Sequence, residues 1–298
     1  MNFGPLLFLG LFVSMALSWY GFIFKGQLDL GRQKQVKLDD GSYYPSNRDG
    51  LAHQGAEVYR ANGCYYCHSQ QVGQTGHEFN LTLTKVGTNT EAVVTAILQV
   101  KPELGKASAR SALKAKRFEL LHGVPFADIK QAQKAFDGLA KEGGAELAWE
   151  IVPLGPDFAM GWGPRRTVAA DYLYDNTVML GNQRIGPDLA NIGLRRPDPK
   201  WHLEHLYQPR SKVEKSTMPP YYFLFERRKI ENGKTDPEAL KVEGDYQIVP
   251  KPEAKALVAY LMSLKAATPL FEAPMTVAPK PPPATNAAPA AATNAPVK

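Results

Sequence analysis

Apolar residues along the chain fall into blocks with different periods. The first, Phe3 to Phe24 (FGPLLFLGLFVSMALSWYGFIF), runs 22 residues without a charge. As a helix it extends roughly 33 Å, enough to cross a hydrocarbon layer of about 30 Å. No Lys or Arg precedes it and no A-x-A site follows, so a membrane anchor over residues 1–25 is expected rather than a cleaved leader. Trp19 and Tyr20 suit an interfacial belt. His53 to Asn62 predicts a short amphipathic helix. Pro252 to Lys265 predicts a second, with Leu257, Val258, Leu261, Met262 and Leu264 on one side and Pro at its start.

The middle of the chain has its own pattern. Phe79, Leu81 and Leu83 alternate with polar residues as a strand. Asn89 or Thr90 caps a helix bearing Val93, Val94, Ile97 and Leu98. A second helix follows Gly105, then a strand around Phe118 and Leu120. Pro125 starts a third helix with Phe126, Ile129, Phe136, Leu139 and Ala140, stopped by Gly143-Gly144. Leu147, Trp149 and Ile151 alternate as a last strand. The order is β-α-α-β-α-β.

Composition narrows the class. With 298 residues, 44% hydrophobic and 21% charged, wholesale disorder and fibrous repeats are excluded. A mean hydropathy of −0.30 excludes a polytopic membrane protein but leaves room for one span. Residues 269–298 hold eight prolines and nine alanines and predict a disordered tail. The net charge of +6 favours acidic partner surfaces. Six basic residues against one acidic between Lys101 and Arg117 form a cationic stretch, read as a solvated face.

The two cysteines, Cys64 and Cys67, stand in Gly63-Cys64-Tyr65-Tyr66-Cys67-His68, the C-x-x-C-H attachment pattern of c-type haem. One helical turn presents two thiols to the vinyl groups of one porphyrin edge, and the next residue aims its imidazole at the iron. Structural zinc would usually need a second Cys or Cys/His pair, which the sequence lacks. A thioredoxin-type pair would need a βαβ entry. Arg184-Ile185-Gly186-Pro187-Asp188-Leu189 is the kind of loop in which the Pro187 carbonyl accepts the proximal imidazole N–H. Met218, on the proline-stiffened loop Thr217-Met218-Pro219-Pro220, is the sixth-ligand candidate, with His202 or His205 as the alternative. Those two histidines, one helical turn apart, are otherwise read as structural and hydrogen-bonding groups beside the haem.

GCYYCHSQ (63–70), LYDNTVMLGNQRIGPDLANIG (173–193), WHLEHLYQPRS (201–211) and MPPYYFL (218–224) resemble the membrane-anchored mono-haem subunit of cbb3-type cytochrome c oxidases. The resemblance implies one covalent haem c on Cys64 and Cys67, with His68 and Met218 as axial ligands. Pro187 would then support His68, with Arg184, Trp201 and Arg210 in reach of the haem. It further implies an electron-transfer subunit that passes electrons to the catalytic haem-copper subunit, beside other cytochrome c subunits, and does not itself reduce oxygen. No nucleic-acid partner is expected. After CHSQ this chain reads Gln71-Val72-Gly73 where the family has Arg-Pro, and Pro164-Arg165-Arg166 is where that segment would resume. Residues 79–152 resemble the C-terminal domain of the bacterial ribosomal stalk protein.

The expected fold class is mainly α. An anchor (1–25) and stalk (26–50) lead to a discontinuous cytochrome c domain (51–78 and 153–268), interrupted by a small α+β domain (79–152) and followed by the tail. Haem attachment occurs outside the cytoplasmic membrane. The domain is therefore expected on the periplasmic side, although Lys25, Arg32, Lys34 and Lys37 run against the positive-inside tendency. Two alternatives stand. One is a nitric oxide reductase cytochrome subunit, which should lack W-H-x-x-H-L. The other is an assembly or docking protein with a structural haem.

Overall fold

The computed structural model describes residues 3–275 apart from 32, 101, 115–117, 131, 135–136, 138–143 and 232. Helix α1 (Gly4–Trp19) passes through a π-turn, Tyr20–Phe24, into α2 (Lys25–Leu30). The stretch Gly4–Asp29 is long and apolar enough to cross a membrane, and none of its most apolar window is buried against the protein. A core helix would have that face covered. Strands β1 (Val36–Lys37) and β2 (Tyr43–Tyr44) then pair as a hairpin.

Helix α3 (Leu51–Ala61) leads into the cysteine turn. Strand β3 (Gly76–Lys85), helices α4 (Thr90–Val100) and α5 (Lys106–Ala112), and strands β4 (Phe118–Val124) and β5 (Glu146–Leu154) follow. β3 lies between β4 and β5, antiparallel to both. Asn89 Oδ1 accepts the Ala92 N–H at 3.2 Å and caps α4. Leu81, Leu83, Val93, Val94, Ile97, Ala109 and Leu120 bury together as one apolar cluster under the sheet. Of the expected third helix, residues 129–130, 132–134 and 137 are helical. Phe136, Leu139, Ala140 and Gly143 lie outside the described residues, as do Lys101 and 115–117 of the cationic stretch.

Short helices α6 (Pro156–Ala159), α7 (Ile192–Arg195), α8 (Pro199–Tyr207) and α9 (Pro209–Lys212) precede a second antiparallel sheet. Its strands are β6 (Phe225–Lys229), β7 (Lys241–Glu243) and β8 (Tyr246–Pro250), in the order β6-β8-β7. Helix α10 (Pro252–Ser263) closes the domain. Its Leu257, Val258, Leu261 and the following Leu264 are buried as expected from spacing, whereas Met262 is only partly so. Tyr260, 1% exposed, joins them and lies against Tyr59 of α3 with ring centroids 5.3 Å apart. These residues form an apolar cluster separate from that under β3–β5.

Helix and sheet are mixed, with more sheet than a mainly α chain was expected to carry. The sequence Phe-Glu-Arg-Arg-Lys of β6 lacks an apolar alternation, so its strand pairing could not be read. Within the stretch expected as tail, Leu270 and Ala273 are buried, and the Arg166 guanidinium donates to the Glu272 carbonyl. Residues 276–298 lie outside the described residues.

Helices α3 and α10 cross at Gly55, where a Cβ would overlap the Ala256 carbonyl and press on Tyr260. Close packing leaves the backbones no room to part without loss of contact. Gly55→Val is expected to lower unfolding stability by on the order of 3 kcal/mol, read as the urea midpoint of the purified protein. An unchanged midpoint would show that the crossing is not tight.

Candidate haem pocket

The cysteine turn starts at Gly63, whose φ of 65° suits glycine, and runs through a 3-10 turn, Cys64–Tyr66. The amide N–H groups of Cys67 and His68 both return to the Cys64 carbonyl, at 3.2 and 3.0 Å. This tight turn is fastened to the loop 180–189 by backbone bonds. Gln70 N–H donates to Leu180, Asn182 N–H to Tyr65, Gly186 N–H to Cys67 and Leu189 N–H to Ser69, between 2.7 and 3.1 Å. Asp188, 0% exposed, accepts from Ser69 Oγ (2.6 Å), Gln71 N–H (2.7 Å) and Ala190 N–H (2.8 Å).

His68 Nδ1 lies 2.8 Å from the Pro187 carbonyl. A carbonyl only accepts, so Nδ1 carries the proton and Nε2 the lone pair. Burial pushes the His68 pKa below its ordinary value, against the Pro187 bond that pulls it up. A neutral imidazole with a free Nε2 is the form that binds a metal. Gly186 makes the placement possible, because a Cβ there would overlap the imidazole ring.

One pocket is lined by Cys64, His68, Pro187, Trp201, His202, His205 and Met218, and otherwise by apolar side chains including Tyr59, Leu206 and Leu257. Five of the eight predicted site residues thus meet. Cys67 sits on the same turn without lining the pocket. Arg184 and Arg210 do not line it either. Arg184 pairs with Asp157 at 2.6 Å and lies over the Trp162 ring, while Arg210 Nε donates to the Ser216 carbonyl at 3.2 Å, beneath the Met218 loop. Arg165, of the resuming Pro164-Arg165-Arg166 segment, does not line the pocket and is buried against Asp171. Asp188 escaped sequence reading, although a carboxylate set between Pro187 and an apolar run was the available signal.

The chemistry of the lining suits a flat, apolar, metal-bearing group. Burial pushes the Cys64 thiol up to about 12, the opposite of a reactive disulfide-exchange thiol. The two cysteines are not bonded to each other. His202 Nε2 is 2.8 Å from the Arg196 carbonyl and is committed there. His205 stacks on Trp201 at 4.8 Å and 12°, and its Nδ1 is buried without a hydrogen-bond partner. That orphaned atom leaves the pocket a polar group for an occupant to satisfy. Burial also pushes His205 down to about 4, so its ring is neutral.

Residues 160–247 match the family described as "Cytochrome C oxidase, mono-heme subunit/FixO". The match spans Arg184, Pro187, Trp201, Arg210 and Met218 and stops short of the cysteine turn. It supports an electron-transfer role, one haem, and association with other oxidase subunits. A search of curated proteins found no match. The resemblance drawn between residues 79–152 and the ribosomal stalk protein finds no support.

Gly186→Ala should force the His68 ring aside and break its bond to Pro187. The expected cost is about 1–3 kcal/mol of unfolding stability, measured by urea titration of the purified protein, and an unaltered midpoint would mean that the loop yields freely.

Proposed function

We propose that the chain is the membrane-anchored mono-haem cytochrome c subunit of a cbb3-type oxidase, passing electrons to the catalytic haem-copper subunit in the same bacterial membrane. The observation that carries this is the His68 imidazole, kept neutral by burial and oriented by its Nδ1 bond to the Pro187 carbonyl with Nε2 free, in the same pocket as Cys64 and Met218. The family match on the Met218 side of that pocket agrees with it.

A covalently bound haem would supply a one-electron couple. Cys64 and Cys67 would hold it by thioethers, His68 would take the proximal position and Met218 the distal one. The remaining work falls to the protein. Pro187 fixes the His68 tautomer and raises its basicity. Arg210 and Ser216 fasten the Met218 loop, the Met218 N–H donating to Ser216 Oγ at 3.2 Å. Apolar walls would keep water from a bound haem, and with a soft thioether ligand this would favour the reduced form and a high potential. The subunit carries electrons and leaves oxygen chemistry to its partner. Attachment outside the cytoplasmic membrane puts the pocket on the periplasmic side.

Haem should stay with the polypeptide in a denaturing gel. Replacing both Cys64 and Cys67 by Ala should abolish that stain, and a surviving stain would sink the assignment. Met218→Ala should remove the iron–sulfur charge-transfer band and lower the potential while attachment persists; a retained band would make another residue the distal ligand.

Residues 79–152 are a module inserted in this cytochrome, with a protein partner rather than a chemical role. Its separate apolar cluster supports this, as does the pairing of Glu78 with Val152 across β3 and β5, which brings the two chain ends together. Deleting 79–152 behind a short Gly-Ser bridge in the full chain should leave the haem spectrum and potential unchanged. Displacement of the Met218 band would make the segment part of the haem surroundings instead.

A further inference from the structure

The stretch between anchor and domain reads in sequence as a plain stalk, yet most of it is tied down. The Tyr44 hydroxyl donates to Asp171 Oδ1 at 2.6 Å and accepts from Arg165 Nη2 at 3.3 Å. Arg165 is 0% exposed, and all five of its N–H donors have partners. Nε bonds the Thr268 carbonyl. Nη1 bonds the Arg166 carbonyl and Asp171 Oδ2, both at 2.9 Å. Nη2 bonds Asp171 Oδ1 at 2.7 Å as well as Tyr44. Asp171 Oδ2 also accepts the Val168 N–H at 2.8 Å. A second tie follows, an ion pair between Arg48 and Asp175.

A fully satisfied buried ion pair demands one geometry, and removing a partner strands a charge. These groups belong to neither the pocket nor the family-like cysteine turn. What they join is three distant segments: the stalk at Tyr44 and Arg48, the stretch 165–175, and the chain after α10 at Thr268. Between the end of α2 at Leu30 and the start of β1 at Val36, only residues 31–35 remain as leash. Five extended residues span at most about 18 Å, whereas with the clamp released and the hairpin still paired, residues 31–35 and 45–50 together would span up to about 40 Å.

We propose that Tyr44, Arg48, Arg165, Asp171 and Asp175 form a positioning clamp that shortens the membrane leash. It holds the pocket-bearing domain close to the bilayer, where it serves a partner fixed alongside in the membrane rather than one reached by swinging outward. The proposal rests on the reading of the chain as an anchored electron carrier, but the clamp itself can be measured without reference to haem.

Spin probes on azide-bearing side chains at positions 29 and 200, both exposed, would leave the two cysteines untouched. Pulsed dipolar EPR of the full chain in lipid nanodiscs should then give one narrow distance. Tyr44→Phe combined with Arg48→Gln should broaden that distribution and extend it by up to about 20 Å. Tyr44→Phe alone, which keeps the ring and removes only the hydroxyl, should broaden it partway and guards against misfolding of the double variant. A broad distribution in the intact chain would overturn the clamp, and so would an unaltered narrow one in both variants. A haem stain of the same samples separates the outcomes: its absence from the intact chain overturns the electron-carrier reading and leaves the distances interpretable.

Discussion

Asp188 accepts three hydrogen bonds in full burial, from Ser69, Gln71 and Ala190. Around it four backbone bonds fasten the loop 180–189 to the cysteine turn. The position of Pro187 follows from that fastening, and the orientation of His68 follows from Pro187. A buried carboxylate left without these donors would be costly, so the loop has one placement. The two glycines at the seam, Gly181 and Gly186, let the chains approach, since a Cβ at either would overlap His68. The pocket is therefore a joint between two segments more than a hundred residues apart.

Around this joint the domain is closed by the crossing of α3 and α10 at Gly55 and by the pairing of Tyr59 with Tyr260. Tyr260 reaches further. Gln70 Nε2 donates to its hydroxyl at 2.9 Å, which ties the last helix to the residue two places beyond His68. Apolar packing and polar fastening thus act on the same few residues. The segment 79–152 has its own apolar cluster, and the chain enters and leaves it through one strand pair beginning at Gly76 and Leu154. Asp157 secures the exit, accepting the Gly73 N–H at 2.6 Å and pairing with Arg184.

Arginine has two different uses here. Arg184 and Arg210, which family resemblance placed in reach of the haem, brace loops, one at Asp157 and one at Ser216 beside Met218. Arg165 is buried entirely, where its planar fork of five donors matches one carboxylate and three further acceptors. A lysine there would satisfy fewer of those acceptors.

Local patterns were legible in the sequence. The apolar run of the anchor, the cap at Asn89, the alternation of β3 and β5, the apolar side of α10 and the C-x-x-C-H turn all depend on residues near one another in the chain. The loop carrying Pro187 was readable for the same reason, as a short run with one chemical use. What the tertiary structure decided depends on contacts between distant segments. The charged strand β6 pairs because β8 supplies its partner, which no period in Phe-Glu-Arg-Arg-Lys announces. Leu270 and Ala273 are buried in a stretch whose proline and alanine content signals disorder, beside a Glu272 carbonyl that accepts from Arg166, more than a hundred residues away. The stalk is tied to the domain because Tyr44 meets a carboxylate 127 positions away. A side chain's type sets what it can bond, but only the fold brings the partner within reach.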